Sequence, residues 1–589
     1  MPLGFSIATP QVVDSLAAVP PLTWLLAISP VVLLLVLVLW GRFSTIIDAG
    51  ITVAYSAVVA VVAFGAGSMT IAVGLGKGAW VGLWILYVIW PALLMHHFAT
   101  RVGMASLGRA LSTVLPRRSE NILLLAWVLP SFIQGVSGFG TPIAVAAPLL
   151  VALGVGKARS VALPLIGYHW AVGFGSMGSS FYMGALTAHL DATGTAEFAQ
   201  SASIALGLNC ILAGVLVALM YDGWSGLREG WRMIAVAGPV MAVVQALVVR
   251  VEPGIGALCA GASGIAVVLV VRRMPHGSRP VGPDRVVSLG PAPITAQEPA
   301  RTAAQEPALT TALEPVGVAS RERVGIATAG RTDLDELAES RDRVAARAAA
   351  VPYALLAIIA LAVFLPPPLR SWAKGNLLIG PSFPSTMTAQ GTINPAVHDY
   401  NPIALMGHPG SFLLLACAAS AVVWHLTGVW QRGSWSPIWR GALRQAWKSS
   451  PSVVLLASVA GVLVDSGMVR TVARGAAAAT GHVYPAIAPL VGALGSFITG
   501  STTSSNALFS ALQGEVARLI GDRPADLLAG QLAGGNIGNS LAPVVILLGL
   551  SAVGAARSAG GVLRMTLLPA GVLLTSAMLT TWILVAIHH

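Results

Sequence analysis

The sequence predicts an all-α polytopic membrane protein with about 12 transmembrane helices and two re-entrant hairpins, arranged as an inverted repeat. Three observations lead to this prediction. Long apolar runs recur along the whole chain of 589 residues, of which 56% are hydrophobic and only 10% are charged. Basic residues concentrate in the short loops between these runs. Two Gly/Ser/Thr-rich interruptions, at 131–142 and 496–506, occupy corresponding places in the two halves.

The composition argues against several classes of function. The formal net charge of +11 by itself suggests nucleic acid, but the positive-inside rule explains Lys and Arg between apolar runs better. We therefore predict no nucleic-acid partner. The three cysteines lie inside apolar runs without metal-ligand spacing, and no motif such as HExxH is present. We accordingly predict no metal, no cofactor and no enzymatic activity.

Hydropathy and loop charge together predict the spans and their direction in the first membrane repeat, residues 1–272. The apolar run 22–40 has no Lys or Arg before it, and Arg42 follows it, which favours a retained first helix with its N-terminus outside. A pair of short runs near 121–155 would form a hairpin entering from the cytoplasm, because each run is too short to span. If each short run spanned fully, the count would differ. The other expected spans lie near 50–66, 78–97, 160–188, 202–221, 233–250 and 255–271.

A polar stretch separates the two repeats. Residues 273–350 are rich in Pro, Ala, Arg and Glu and poor in aromatics, which predicts a disordered cytoplasmic linker, although 331–347 would also suit a short amphipathic helix. In the second repeat, 351–589, the short pair near 483–520 starts from the outside, opposite to the first hairpin. The spans expected there lie near 351–366, 411–430, 451–469, 526–550 and 565–587.

The two interruptions are the predicted substrate site. A helix that breaks within a membrane exposes backbone groups, so the break must face protein or a water-filled cavity. A helix that begins there directs its N-terminal amides at the cavity, where an anion binds well. Small residues also serve close helix packing, but the unbroken run 501–506 of hydroxyl and amide side chains favours a site. The predicted substrate-binding residues are Gly138, Gly140, Thr141, Thr502, Thr503, Ser504, Ser505, Asn506, Asn536 and Asn539.

Two ionisable residues inside apolar runs are candidates for coupling. His169 lies deep in the span after the first hairpin and is the predicted proton-coupling residue. A neutral histidine bonded to a nearby carbonyl is the alternative. Asp465, near the end of its span, is either an interfacial charge or a coupling group.

Several blocks of the chain resemble the L-lactate permease family, which also takes glycolate. The blocks are Gly138-Phe139-Gly140-Thr141-Pro142, Gly173-Phe174-Gly175-Ser176-Met177-Gly178, Asp222-Gly223-Trp224 and Thr503-Ser504-Ser505-Asn506-Ala507-Leu508-Phe509. Their order and spacing fit from about 20 to 587, outside the 273–350 linker. The resemblance implies a proton-coupled monocarboxylate symporter with paired hairpins in the plasma membrane.

The sequence departs from that family's pattern where charge matters. Gln134 stands where the pattern has Glu, Thr502 where it has Asp, and Asn539 where it has Lys. The run 168–171 replaces an Asn-Thr-Ala-Pro-like run. These changes remove candidate proton carriers and a candidate carboxylate partner, so the substrate and the coupling are open.

These observations together predict a secondary active transporter that imports a small monocarboxylate, such as L-lactate or glycolate, by proton symport. The predicted partners are the carboxylate, protons and the lipid bilayer, with a homodimer left open. The predicted location is the plasma (cell inner) membrane, as a multi-pass protein. Two alternatives are a transporter for another small organic anion with altered coupling, and a transporter-like sensor that signals through the linker.

Overall fold

The computed structural model describes residues 20–40, 42–103, 106, 115, 117–138, 140–271, 331–429 and 435–588, with backbone alone at 271, 331–343, 448–449 and 556. The helices of the first half are α1 (Pro21–Trp40), α2 (Thr45–Phe64), α3 (Ser68–Val102), α4 (Arg118–Val136), α5 (Thr141–Ala152), α6 (Lys157–Tyr168), α7 (Gly175–Thr187), α8 (Ala192–Val248) and α9 (Gly256–Val271). Those of the second half are α10 (Arg331–Phe364), α11 (Pro367–Gly375), α12 (Pro409–Leu426), α13 (Trp435–Asp465), α14 (Met468–Thr480), α15 (Tyr484–Thr499), α16 (Thr502–Ile520), α17 (Pro524–Leu541), α18 (Pro543–Ala552) and α19 (Ala559–His588).

Two short antiparallel ribbons lie between α11 and α12. Strand β1 (Leu378–Ile379) pairs with β4 (Ile403–Ala404), and β2 (Thr386–Met387) pairs with β3 (Ile393–Asn394). Each strand has two residues, so the ribbons shape a loop and do not form a core.

The helices confirm the all-α polytopic fold class. In the described part of the chain, eleven helical segments are long and apolar enough to cross a membrane, or up to twelve if the bent pair α17–α18 counts as one span. Large apolar side chains remain exposed on outer helices, such as Val62 at 80% and Leu568 at 77%. Such surfaces suit a hydrocarbon solvent. The chain is therefore a multi-pass membrane protein.

Glycines bring α3 and α13 into backbone contact. A Cβ on Gly78 would lie 2.3 Å from the carbonyl oxygen of Ala457, and a Cβ on Gly461 would lie 2.1 Å from that of Gly74. Only glycine permits this approach, as is typical of tightly packed membrane helices. The two long helices form a frame, and the helices that pack on it are α2, α7, α10, α12, α14 and α16.

Two segments expected as single spans are broken in the structure. The expected span 160–188 consists of α6 and α7, separated by a 3₁₀ turn at His169–Ala171 and by three left-handed residues, Ser176, Met177 and Gly178. The expected span 526–550 consists of α17 and α18, bent by 48°. Proline explains the second break, because Pro543 disfavours helical geometry at Ala542 before it.

Other boundaries also differ from the expectation. The segments expected near 202–221 and 233–250 are the two parts of α8, which changes direction at Asp222 and Gly223. Residues 331–350, predicted as the end of the disordered linker with a helix at 331–347 as the alternative, are helical and begin α10. Alanine-rich sequence such as 345–350 favours that outcome. The rest of the predicted linker, 273–330, lies outside the described residues.

Both interruptions separate two helices. The first tip, residues 137–140 of which 139 is not described, joins α4 to α5, and the second tip, residues 500–501, joins α15 to α16. Each hairpin packs on the second part of the other half's broken segment, α5 on α18 and α16 on α7. Their re-entrant placement and the inverted repeat stay predictions.

Candidate functional site

One cavity of about 230 Å³ lies where the two hairpins and the two broken segments meet. A single water needs only about 10–15 Å³ by a comparable measure, so the space suits a small organic molecule. Its wall consists of Gln134, Gly140, Tyr168, Val172, Ser176, Ser179, Ser180, Gly500, Ser501, Thr502, Thr503, Asn539, Val544, Val545 and Leu548.

The first tip is held by hydrogen bonds to α7. The N–H of Gly138 donates to the Oγ of Ser176 at 2.9 Å, and the hydroxyls of Ser137 and Thr141 are 3.1 Å apart. Gly140 has a φ of 82°, which favours glycine, and a Cβ there would lie 1.9 Å from a methyl carbon of Leu548. Of the predicted residues at this tip, Gly140 lines the cavity, while Gly138 and Thr141 lie beside it.

The second tip begins α16 with a helix cap. Ser501 accepts a hydrogen bond from the N–H of Ser504 at 3.2 Å, as an N-cap serine does. Thr502 donates to the carbonyl oxygen of Gly535 on α17 at 3.2 Å. The hydroxyl of Thr503 lies 3.0 Å from that of Ser180 on α7. Ser501, Thr502 and Thr503 line the cavity, so the predicted run 501–506 reaches it at its first three positions.

Ser504 does not line the cavity, and the two residues after it, Ser505 and Asn506, face the protein interior. Ser505 donates to the carbonyl oxygen of Gly492 at 3.0 Å and accepts from Gln531 at 3.1 Å. Asn506 donates to the carbonyl oxygen of Ser180 at 2.8 Å. These residues therefore fasten the second tip to α15, α17 and α7 from behind the cavity wall.

Four helical segments begin at the cavity. They are α5, the part of α7 after the left-handed residues, α16 and α18. The residues at or next to these four starts that line the wall are Gly140, Ser179, Thr502 and Val544. The first turn of each helix carries unpaired N–H groups and a partial positive charge. Their convergence favours an anion, because each helix start contributes in the same sense.

No charged side chain lines this cavity among the described residues. The wall instead offers the hydroxyls of six Ser and Thr side chains, the amides of Gln134 and Asn539, and the phenol of Tyr168. Val172, Val544, Val545 and Leu548 form an apolar side. Such a site can bind a small anion with a polar and an apolar part. In the described part of the chain, no group of three or more His, Cys, Asp or Glu is placed to hold a metal.

His169 and Asn536 lie away from the cavity wall. The His169 side chain is fully buried, and its Nδ1 lies 2.8 Å from the carbonyl oxygen of Ile166. Asn536 is fully buried beside Gly173, where a Cβ would lie 3.1 Å from its amide nitrogen. The predicted roles of both residues stay predictions. Asn539, one helical turn from Asn536, does line the cavity.

Several wall residues were absent from the predicted site. Tyr168, Ser176, Ser179 and Ser180 belong to the segment expected as one unbroken span. The signal was the Gly/Ser-rich run 173–180, which matches the composition of the two predicted interruptions. The three positions that depart in charge from the resembled family pattern, Gln134, Thr502 and Asn539, all line this one cavity.

The chain is similar to known permeases over most of its length. The family model described as L-lactate permease matches residues 23–281 and 327–588. The L-lactate permease of Escherichia coli strain K12 is 25% identical over 83% of this chain and 82% of its own length. The glycolate permease GlcA of the same strain is 24% identical over 90% of both chains. The L-lactate permease of Bacillus subtilis strain 168 is 24% identical over 83% of both.

A solved structure, the YdaH transporter of Alcanivorax borkumensis, matches with a TM-score of 0.43 and 13% identity over 87% of both chains. The family match covers both membrane halves, including both tips and both broken segments that enclose the cavity. On that match, this chain is a transporter of the L-lactate permease family.

Proposed function

We propose that this protein imports a small monocarboxylate such as L-lactate or glycolate across the plasma membrane by proton symport. The observation that carries the proposal is the convergence of four helix starts on one uncharged cavity of about 230 Å³. Relatives named L-lactate permease and glycolate permease support this substrate class.

The cavity suggests how a 2-hydroxy acid would bind. The carboxylate would lie against the amides at the start of α5 and α16, because these carry the positive ends of the helix dipoles. The substrate hydroxyl would bond to the serine and threonine hydroxyls of α7 and the second tip, such as Ser180 and Thr503. The methyl group of lactate would face the apolar side formed by Val544 and Leu548.

Transport would follow from movement of the hairpins relative to the broken segments. The second tip is attached to α7 by the Ser180–Thr503 contact and to α17 by the Thr502–Gly535 bond. If these bonds exchange for bonds to water or substrate, the tip can open on one side of the site. This scheme matches alternating access around a site at the repeat interface.

The test is uptake of labelled L-lactate into proteoliposomes that contain the purified protein, with and without an inward proton gradient. The proposal expects accumulation that the gradient stimulates. Glycolate should compete with it, and a variant Thr502→Ala/Thr503→Ala should bind labelled L-lactate more weakly. If folded protein accumulates no L-lactate but accumulates another small organic anion, the substrate proposal is wrong. Equal accumulation with and without the proton gradient would contradict symport with protons.

A role of His169 in proton coupling stays a prediction from the sequence, and it is tested separately. A His169→Gln variant tests this role, because glutamine keeps a hydrogen bond to Ile166 within reach but takes up no proton. Loss of proton stimulation with exchange intact would support the role. Unchanged stimulation would mean that the histidine is structural.

A further inference from the structure

Glu252 is a carboxylate buried at the junction of α8 and α9. Its side chain is 2% exposed, and it accepts a hydrogen bond from the N–H of Gly254 at 3.2 Å. Tyr182 of α7 donates its hydroxyl to Oε1. The Nζ of Lys374 on α11 lies 3.2 Å from Oε2, and the Lys374 side chain is 47% exposed. The carboxylate therefore has one partner on a broken segment and another that reaches the protein surface.

The turn that carries Glu252 packs on the cavity-lining part of α7. A Cβ on Gly178 would lie 3.1 Å from the Cα of Gly254, and a Cβ on Gly254 would lie 3.0 Å from the carbonyl oxygen of Met177. Ser176, next in this left-handed segment, lines the cavity and accepts a hydrogen bond from the first tip. A change at Glu252 therefore reaches the cavity wall through contiguous contacts.

The same carboxylate is also connected to the second tip. Tyr182, which bonds Glu252, follows Ser180 by two residues on α7. Ser180 contacts Thr503 through its hydroxyl and accepts from Asn506 through its backbone oxygen. Segment 176–182 of α7 thus holds both tips on one side and the Glu252 carboxylate on the other.

Proton symport, on which this inference rests, needs a group that gains and loses a proton during transport. The cavity wall offers no carboxylate or imidazole among its described residues. Of the other buried carboxylates, Asp465 pairs with Lys77, and Asp526 bonds to Ser201 and His588. Three more buried carboxylates lie on α2, on α4 and just after α16, namely Asp48, Glu120 and Asp522. In the described part of the chain, Glu252 is the buried carboxylate with a hydrogen bond to segment 176–182.

We propose that the Glu252 carboxyl group is the binding site for the proton that accompanies the substrate. One proton from outside would bind Oε2, which neutralises the carboxylate and frees the Lys374 ammonium to turn toward water. The Tyr182 hydroxyl and the Gly254 N–H would then face a neutral acceptor and bind it more weakly. Segment 176–182 would be less tightly held, so the tips could move with proton and substrate together. Release of the proton on the other side restores the ion pair.

The charged and titratable groups around Glu252 come from three elements. Tyr182 belongs to α7, Lys374 to α11, and the exposed Arg250 to the same connection as Glu252. His408, at the start of α12, packs on Trp84, which also contacts the ring of Tyr182. Each of these groups would influence how readily the carboxylate takes up a proton, with Lys374 the strongest because it contacts the carboxylate directly.

Glu252→Gln tests the proposal in proteoliposomes by two measurements on full-length protein. Gradient-driven accumulation of labelled L-lactate should fall to the level of protein-free vesicles. Exchange of labelled for unlabelled L-lactate at equal pH should persist, because it needs no net proton transfer. Glu197→Gln is the matched control, since Glu197 also pairs with a basic side chain, Arg523, but is 39% exposed. This control should keep both activities.

Several results would overturn the inference. Gradient-stimulated accumulation by Glu252→Gln would do so, and so would uncoupling by His169→Gln or Asp526→Asn with Glu252→Gln still coupled. Wild-type protein without gradient-stimulated uptake would overturn the proposed function and this inference with it. If Glu252→Gln loses exchange as well, Lys374→Gln decides. Without the ammonium the carboxylate loses its ion pair, so the pH dependence of uptake should change, and an unchanged pH dependence would reject the proposal.

Discussion

The hydroxyl of Ser180 lies 3.0 Å from the hydroxyl of Thr503, although the two residues are 323 positions apart. Ser180 belongs to the broken segment of the first half, and Thr503 belongs to the hairpin of the second half. Both side chains are buried and line the cavity. This contact therefore joins the two halves at the place where the substrate is proposed to bind.

Removal of this contact should weaken transport in a non-additive way. A buried hydrogen bond contributes about 1 kcal/mol, so Ser180→Ala and Thr503→Ala should each raise the KM of L-lactate uptake by about fivefold. The double variant should resemble the single variants, because the same bond is lost. KM values from gradient-driven uptake in proteoliposomes check this. Additive losses would mean that each hydroxyl acts separately on the substrate.

Ser263→Ala is the matched control for that cycle. The Ser263 hydroxyl donates to the carbonyl oxygen of Ala260 within α9 and has no part in the cavity wall. Its loss removes a serine hydroxyl from a membrane helix without touching either tip. Uptake by this variant should match that of the wild type.

The apolar side of the cavity should set the length of the accepted side chain. Leu548 closes this side opposite Gly140, so Leu548→Ala should open space next to the substrate methyl group. Each buried methylene contributes about 0.8 kcal/mol, so the preference for 2-hydroxybutyrate relative to L-lactate should rise about fourfold in kcat/KM. Competition uptake with both acids measures this ratio.

The neighbouring Leu547 supplies the control for the size experiment. Its side chain is 45% exposed and does not line the cavity. Leu547→Ala removes the same atoms from the same helix and should leave the ratio unchanged. A similar change of ratio in both variants would place the effect in the stability of α18 and not in the cavity.

Much of this arrangement follows from local sequence patterns. A run of Gly, Ser and Thr interrupts each apolar segment, so the sequence locates both tips. The run 501–506 also predicts the capped start of α16. The break in α7 was missed, although run 173–180 has a similar composition. Non-glycine residues such as Ser176 and Met177 seldom adopt left-handed geometry, so the sequence did not indicate it there. Hydropathy reports the polarity of side chains and gives no information on backbone conformation.

Long-range pairing lies beyond what a single sequence reveals. Lys77 and Asp465 are 388 positions apart, and only the packing of α3 on α13 brings them together. In the same way, Glu252 falls in a short connection that hydropathy marks as polar, and its contact with Tyr182 depends on the fold. The spacing of residues along the sequence predicts single helices and strands, whereas these contacts join residues on different elements.

Charges introduced into the cavity wall should act in opposite directions. Asn539→Lys adds a cation to an uncharged wall, and a unit charge at about 4 Å contributes about 4 kcal/mol at a dielectric constant near 20. The dissociation constant of L-lactate should therefore fall at least tenfold, and turnover should slow because release is harder. Thr502→Asp should weaken the binding of L-lactate, because the added negative charge repels the substrate carboxylate. Binding of labelled L-lactate to purified protein measures both.

The double variant and a surface variant complete this test. Thr502→Asp/Asn539→Lys should bind L-lactate with near wild-type affinity if both side chains face one bound anion. Asn376→Lys adds the same charge at an exposed position just after the end of α11, and it should leave the dissociation constant of L-lactate unchanged. An Asn539→Lys variant with unchanged affinity would show that the carboxylate binds elsewhere.

The Lys77–Asp465 pair should support the frame of α3 and α13. The Nζ of Lys77 lies 3.0 Å from Asp465, and the two side chains are 9% and 4% exposed. Asp465 also holds the loop between α11 and α12, because its backbone oxygen accepts a hydrogen bond from Asn394 at 2.8 Å. Removal of one partner leaves a buried charge uncompensated, so Lys77→Met should lower the free energy of unfolding by about 3–5 kcal/mol.

Thermal unfolding of purified protein in detergent measures that loss. The double variant Lys77→Met/Asp465→Leu should recover most of the stability, because two apolar side chains of similar size carry no desolvation penalty. Arg470→Met is the control, since the Arg470–Glu515 pair is exposed and should contribute at most about 1 kcal/mol. If the double variant is no more stable than Lys77→Met, the pair does not act through charge compensation. A loss of proton coupling with stability intact would instead assign Asp465 to transport, the other role that its sequence position allows.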